Sequence, residues 1–239
     1  MKRQFFVLAA VIISSTAQAQ DSTGTSLDEV ILTANKYPNK TSLTGKVVTI
    51  ISREQLERSG GKDLSQLLTE QAGIVIAGAN SNAGKDKSVY LRGARVDHTL
   101  ITIDGVPVYD PSGIGGNFDI RNLAIASIER IEILKGSQST LYGSDAIAGV
   151  INIITRKSGN KLVSGNTMLS YGSNETFRGN AGINGKSGII DYNASYSLHT
   201  TKGINEAINK NNIAVTDKDK FQQNTIQLGL GIKPIEKIY

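Results

Sequence analysis

The sequence predicts a small α+β domain followed by antiparallel strands of an incomplete transmembrane β-barrel, and three observations carry that expectation. The chain opens with Met1-Lys2-Arg3, an apolar run over residues 5–13 and then Ala17-Gln18-Ala19, the layout of a secretory leader cleaved after Ala19. From about Thr41 to Lys157, short strand and short helix patterns alternate over an ordinary domain length. Beyond Lys157 the helix patterns stop and two-residue alternation takes over.

Composition narrows the function classes. The leading apolar run falls far short of the roughly 20 residues that cross a bilayer as a helix, and no later segment supplies such a run. With no cysteine in an exported chain, neither disulfides nor thiolate metal sites staple the fold. Of the formal charge of +5, Lys2 and Arg3 belong to the leader, and the other basic residues are interspersed with Asp and Glu. Without a basic stripe interleaved with aromatics, nucleic acid is not an expected partner. His98 and His199 are the only histidines and stand in neither metal nor triad spacing. The glycines at 113, 115 and 116 precede no Lys-Ser/Thr pair, so no phosphate loop is expected and the chain does not read as an enzyme.

The elements follow in order. Residues 20–26 are small and polar, a leader too poor in apolar groups to order itself. Asp28-Glu29-Val30-Ile31-Leu32-Thr33-Ala34 sets two acids before β-prone residues. It reads either as an edge strand of the next domain or as a segment held free to add to another protein's sheet. The run Val47-Val48-Thr49-Ile50-Ile51 predicts a buried strand. Ser52 with Gln55 makes a capping box for a helix over 53–58, stopped at Ser59-Gly60-Gly61. A second helix is expected over 62–71, with Leu64, Leu67 and Leu68 on one face and Gly73 at its end.

Strands are then expected over 74–76, 88–92 and 99–103, with Asp104-Gly105 turning the chain into Val106-Pro107-Val108. The loops 78–87 and 109–117 are placed to present binding groups. Residues 126–134 read as short strand or turn, and 150–154 as a continuous apolar strand. In the last part, Ile190, Tyr192, Ala194, Tyr196 and Leu198 oppose Asp191, Asn193, Ser195, Ser197 and His199. Residues 224–232 repeat the theme, and 162–171 and 176–186 are weaker versions. A membrane barrel with a wet interior and a soluble half-buried sheet both give this alternation; the export signal favours the barrel.

Two long segments carry a family resemblance. The first is Ser88-Val89-Tyr90-Leu91-Arg92-Gly93 with Thr99-Leu100-Ile101-Thr102-Ile103-Asp104-Gly105-Val106-Pro107-Val108. The second is Ile128-Glu129-Arg130-Ile131-Glu132-Ile133-Leu134-Lys135-Gly136 with Leu141-Tyr142-Gly143-Ser144-Asp145-Ala146-Ile147-Ala148-Gly149-Val150-Ile151-Asn152-Ile153-Ile154-Thr155. Through them the chain resembles TonB-dependent outer-membrane receptors over essentially all of its mature length. The resemblance implies a signal peptide at 1–19, a leader at 20–40 holding a TonB box at 28–34, and a plug domain at 41–157. Residues 158–239 would then be the first strands, about four, of a barrel that in this family has about 22. Four strands do not close, so a truncated product is expected.

The same resemblance implies an outer-membrane location and pairing of Asp28, Glu29, Val30, Ile31, Leu32, Thr33 and Ala34 with the periplasmic domain of TonB by strand addition. Arg92, Arg130 and Glu132 would anchor the plug in a polar lumen, the alternative being ordinary ion pairs. Gly136, Gly143 and Gly149 would suit turns running close to the barrel wall. Within the family, Gly203-Ile204-Asn205 and Val215-Thr216-Asp217-Lys218-Asp219-Lys220-Phe221 are most similar to the cobalamin receptors.

There a matching loop binds calcium, which makes Asp217 and Asp219 candidate ligands and calcium the one cofactor implied. Asn205 stands where an acid is expected and Val215 where a side-chain oxygen is. Two carboxylates beside Lys218 and Lys220 fall short of calcium's six to eight oxygens, and a solvated loop of alternating charge is the other reading. On the plug, the resemblance points to Ser88, Arg95, Ile114 and Gly115 as substrate contacts. Arg95 replaces a smaller polar residue and Asp86 an apolar one, so a ferric-siderophore receptor is the second ligand class. A structural or adhesive outer-membrane protein is the third reading.

Overall fold

The computed structural model describes residues 30–31, 39–40, 47–59, 61–157, 161–206 and 218–232. Its centre is a five-stranded sheet ordered β3-β8-β9-β6-β7, built from β3 (Val47–Ile51), β6 (Thr99–Ile103), β7 (Val106–Pro107), β8 (Ile128–Lys135) and β9 (Gly149–Thr155). β6 and β9 run parallel, and the other pairs are antiparallel. Register places Ile51, Ile131 and Ile153 on one face with Ile133, Ile151 and Ile101. That face carries the main core, which also takes in Leu56, Leu64, Leu67, Leu68 and Ile74 from the helices and the adjoining hairpin. The opposite face packs Leu100, Leu134, Val150 and Ala146 with the half-buried Val48, Ile50 and Tyr142.

Local chemistry explains the remaining elements. α1 (Arg53–Arg58) begins at Ser52 with the capping box to Gln55, as the sequence implies. α2 (Leu64–Thr69) is shorter than expected, because Asp63 is its N-cap and makes a second box with Gln66. β4 (Ile74–Ala77) and β5 (Ser88–Leu91) form a separate antiparallel pair. Asp104 and Gly105 both adopt positive φ, 50° and 82°, which closes the tight β6/β7 hairpin. β8 is a full eight-residue strand rather than the short strand or turn expected, and α3 (Ser139–Tyr142) has no counterpart in the sequence reading.

Two expectations about the wall are corrected. Arg130 Nε donates to Glu132 Oε1 at 2.9 Å, and Glu132 is fully buried, so this ion pair lies within β8. At Gly149 a Cβ would collide with the Leu134 carbonyl oxygen and would lie 2.6 Å from Leu91 Cδ2. The crowding is internal to the domain, not against the wall.

After the domain come β10 (Ser164–Gly172), β11 (Thr176–Ser187), β12 (Ile190–Thr201) and β13 (Phe221–Ile232), a four-stranded antiparallel meander in chain order. Register aligns Tyr192 with Leu230, Ala194 with Leu228 and Tyr196 with Ile226. This outer face is open, Leu228 being 75% and Leu230 84% exposed. Asn180 and Asn184 are buried on the opposite face, toward the domain. The apolar-out, polar-in pattern of a barrel wall is therefore realised in pairing and burial alike. Among the described residues no helix is long and apolar enough to cross a membrane.

Candidate ligand face and contact between domain and wall

The proposed substrate contacts gather where three loops of the domain meet. Ser88 opens β5, and its Oγ accepts a hydrogen bond from Asn117 Nδ2 at 3.2 Å. Arg95 grips Asp97 with two bonds, Nε to Oδ1 at 3.1 Å and Nη2 to Oδ2 at 2.9 Å. Its guanidinium remains 78% exposed, a planar cation with fixed orientation suited to an anionic or chelated oxygen ligand. Gly115 lies in the 3-10 turn Ile114–Gly116 with φ of 71°, and a Cβ there would sit 3.0 Å from the Cβ of Asp97. Asn117 and Asp97 thus join the loop of Ile114 and Gly115 to Ser88 and Arg95. Sequence reasoning missed both residues.

The neighbouring loop, 78–87, is held from three sides. Lys87 is only 2% exposed, and its Nζ donates to the carbonyls of Gly78 and, at 3.3 Å, of Asn82. Burial lowers the pKa of this ammonium from the ordinary lysine value, against the pull of Asp63. Arg121 bonds Asp119, Asp86 and the Gly84 carbonyl, tying the loop to the turn at Ile120–Asn122.

The third side is the wall. Asn82 Nδ2 donates to the Ile204 carbonyl at 2.9 Å and to Asp219 Oδ2 at 2.8 Å, while Asn82 Oδ1 accepts from the Ile204 N–H at 2.8 Å. The Asn82 N–H donates to Glu206 Oε1 at 2.7 Å, and this bond is the main reason the Glu206 carboxyl lies below its ordinary range. Phe221 packs against Gly84, and Gln223 Nε2 donates to the Arg121 carbonyl at 3.2 Å. Deeper between domain and wall lies a cavity of about 100 Å³ lined by Asp63, Lys87, Arg178, Asn180, Ser197 and His199 among others.

Of the candidate calcium ligands, Asp219 accepts the Asn82 amide, and Asp217 lies outside the described residues. Among the described residues no group of three or more His, Asp or Glu converges as a metal site. In the segment that the resemblance assigns to TonB, Val30–Ile31 forms β1, paired antiparallel with β2 (Asn39–Lys40). Asp28, Glu29, Leu32, Thr33 and Ala34 lie outside the described residues.

Known proteins share this architecture. Residues 40–150 match the model of the TonB-dependent Receptor Plug Domain. The siderophore receptor PirA from Acinetobacter baumannii is similar at 24% identity and a TM-score of 0.61, over 86% of this chain and 31% of that one. A mutant of the ferric enterobactin receptor PfeA from Pseudomonas aeruginosa is similar at 23% identity and a TM-score of 0.58, over 81% and 32%. The ferric yersiniabactin uptake receptor FyuA from Yersinia pestis is similar at 21% identity and a TM-score of 0.56, over 79% and 29%.

The chain spans about a third of the length of PirA and PfeA. At these identities the likeness establishes the fold alone, which the chain shares with solved proteins named as receptors. Residues 40–150 thus match a TonB-dependent receptor plug domain, and the chain shares with these solved receptors the fold of an α/β domain followed by antiparallel strands.

Proposed function

We propose that this chain supplies the plug and the first wall strands of a receptor that takes up a scarce metal chelate across the outer membrane, driven through TonB. The observation that carries the reading is the plug match at 40–150 joined to strands with an apolar outer and a polar inner face. Barrels of this class have short periplasmic turns and longer outer connections. The tight Gly188-Ile189 turn then lies on the periplasmic side and the long β12/β13 connection faces outward. The contacts of Asn82 with that connection put the loop 78–87 on the outer side as well.

A ligand captured passively at Ser88, Arg95, Ile114 and Gly115 would shift the plug and release residues 28–34. TonB would then pair with that segment by strand addition, and the inner-membrane proton gradient would drive remodelling of the plug. The ligand is a chelate of one of two kinds. Ferric siderophores are favoured by the named ligands of the receptors that share the fold. Cobalamin is favoured by the resemblance of residues 203–205 and 215–221, with calcium at Asp217 and Asp219 as its accompanying cation.

Equilibrium titration of the chain expressed with a complete barrel separates them. Binding of cyanocobalamin that strengthens with added calcium supports the cobalamin reading. Binding of a ferric siderophore without calcium dependence supports the other. Binding of neither, at up to micromolar ligand, sinks both and leaves a structural outer-membrane role.

A further inference from the structure

Asn82 is only 7% exposed and sits in the middle of a polar loop, yet its side chain bonds residues of the wall connection. Its amide bonds both the N–H and the C=O of Ile204 and one carboxylate oxygen of Asp219, reaching the two sides of the β12/β13 connection at once. Gly203 makes the fit possible: with φ of 68°, it occupies a place where a Cβ would collide with the Asp219 carbonyl and lie 2.9 Å from Asn82 Oδ1. Lys87 holds the Asn82 carbonyl from within the loop, and Lys85 pairs with Glu206 at 3.5 Å.

We infer that Asn82 is a positioning residue that docks the outer β12/β13 connection onto the plug, so that ligand capture uses one preassembled face made of plug and wall together. The inference rests on the receptor reading above, but its structural half is tested separately. An amide suits this place because it donates and accepts at the same point; no other side chain of this size offers both to a peptide group and a carboxylate. Four bonds made by one buried residue across two parts of the fold form a network whose members depend on each other.

The test is a double-mutant cycle in the chain expressed with a complete barrel, read by amide hydrogen exchange and by ligand titration. Asn82→Asp keeps the acceptor for the Ile204 N–H but sets a carboxylate against Asp219 and the Ile204 carbonyl. Asp219→Asn, added to it, restores a donor facing that carboxylate. Exchange in segments 203–206 and 218–222 is expected to rise about tenfold in Asn82→Ala and Asn82→Asp, and to fall part of the way back in the double variant, where the Ile204 carbonyl still faces a carboxylate. β6 and β9 should exchange as in wild type throughout.

The affinity for whichever probe the wild type binds, cyanocobalamin or a ferric siderophore, should fall about tenfold in the single Asn82 variants and recover in part in the double. Unchanged exchange in both single variants overturns the docking. Equal acceleration in β6 and β9 overturns it as well, since Asn82 would then be a general stability residue. Faster exchange with unchanged affinity overturns the role in capture. If the wild type binds neither probe, the receptor reading fails while the exchange data still decide the docking.

Discussion

Asn152 and Lys87 are buried polar residues of the domain whose bonds lead to predictions about its stability. Asn152 Oδ1 accepts from Thr102 Oγ1 at 2.7 Å and from the Gly105 N–H at 3.1 Å, pinning β9 to β6 and to its hairpin turn inside a buried sheet. Asn152→Ala is expected to cost about 1–3 kcal/mol, because it strands a buried hydroxyl and a turn N–H; urea unfolding in detergent checks it. Lys87 gives a pH dependence with a definite sign. Its folded-state pKa lies below the ordinary 10.5, so between those values the unfolded chain binds more protons and stability rises with pH. Below the folded value the cost of burying the ammonium is present in full. The urea midpoint of the wild type should therefore climb toward that of Lys87→Met as pH is raised through this window, and parallel curves would contradict it. The caps Ser52 and Asp63 were legible, or nearly so, because their partners lie three residues away. Lys87 was not, since a lysine in a polar loop carries no local sign of burial.

Among the elements, the strands that alternate were easiest to read and the doubly buried one hardest. β8 lies between β3 and β9 with apolar groups on both faces, so its sequence lacks a clean period of two. Gly149 was noticed for the wrong reason: its neighbours are Leu134 and Leu91, which only the closed sheet brings together. Gly149→Ala should cost at least about 2 kcal/mol, through collision with a backbone carbonyl that side-chain repacking does not relieve. The wall strands make the opposite kind of prediction. Leu228 points outward near the middle of β13, and Gln227 points inward. In lipid vesicles Leu228→Arg is expected to destabilise folding by about 2–4 kcal/mol, while Gln227→Arg has a much smaller effect. Equal costs at the two positions would mean that β13 does not face lipid on its apolar side.

At the scale of the whole molecule, the plug segment was legible from its long ordered motifs, and the wall from its alternation. How the two dock was not. The bonds of Asn82 to Ile204 and Asp219 join residues 122 and 137 positions apart, and such pairings leave no periodic trace in a single sequence. Of the proposed substrate contacts, the resemblance marked Ser88, Arg95, Ile114 and Gly115, and the fold adds Asp97 and Asn117 as their neighbours. As proposed, this assembly captures a chelate outside the cell and hands it inward through TonB. Uptake of radiolabelled cyanocobalamin and ferric siderophores by whole cells, comparing the wild type with Leu32→Pro, tests it most directly, because proline blocks strand addition without touching the ligand face. One ligand class is expected to be taken up by the wild type, and Leu32→Pro is expected still to bind it at the surface but no longer to accumulate it. Normal accumulation by Leu32→Pro, or no uptake of either class by the wild type, would contradict it.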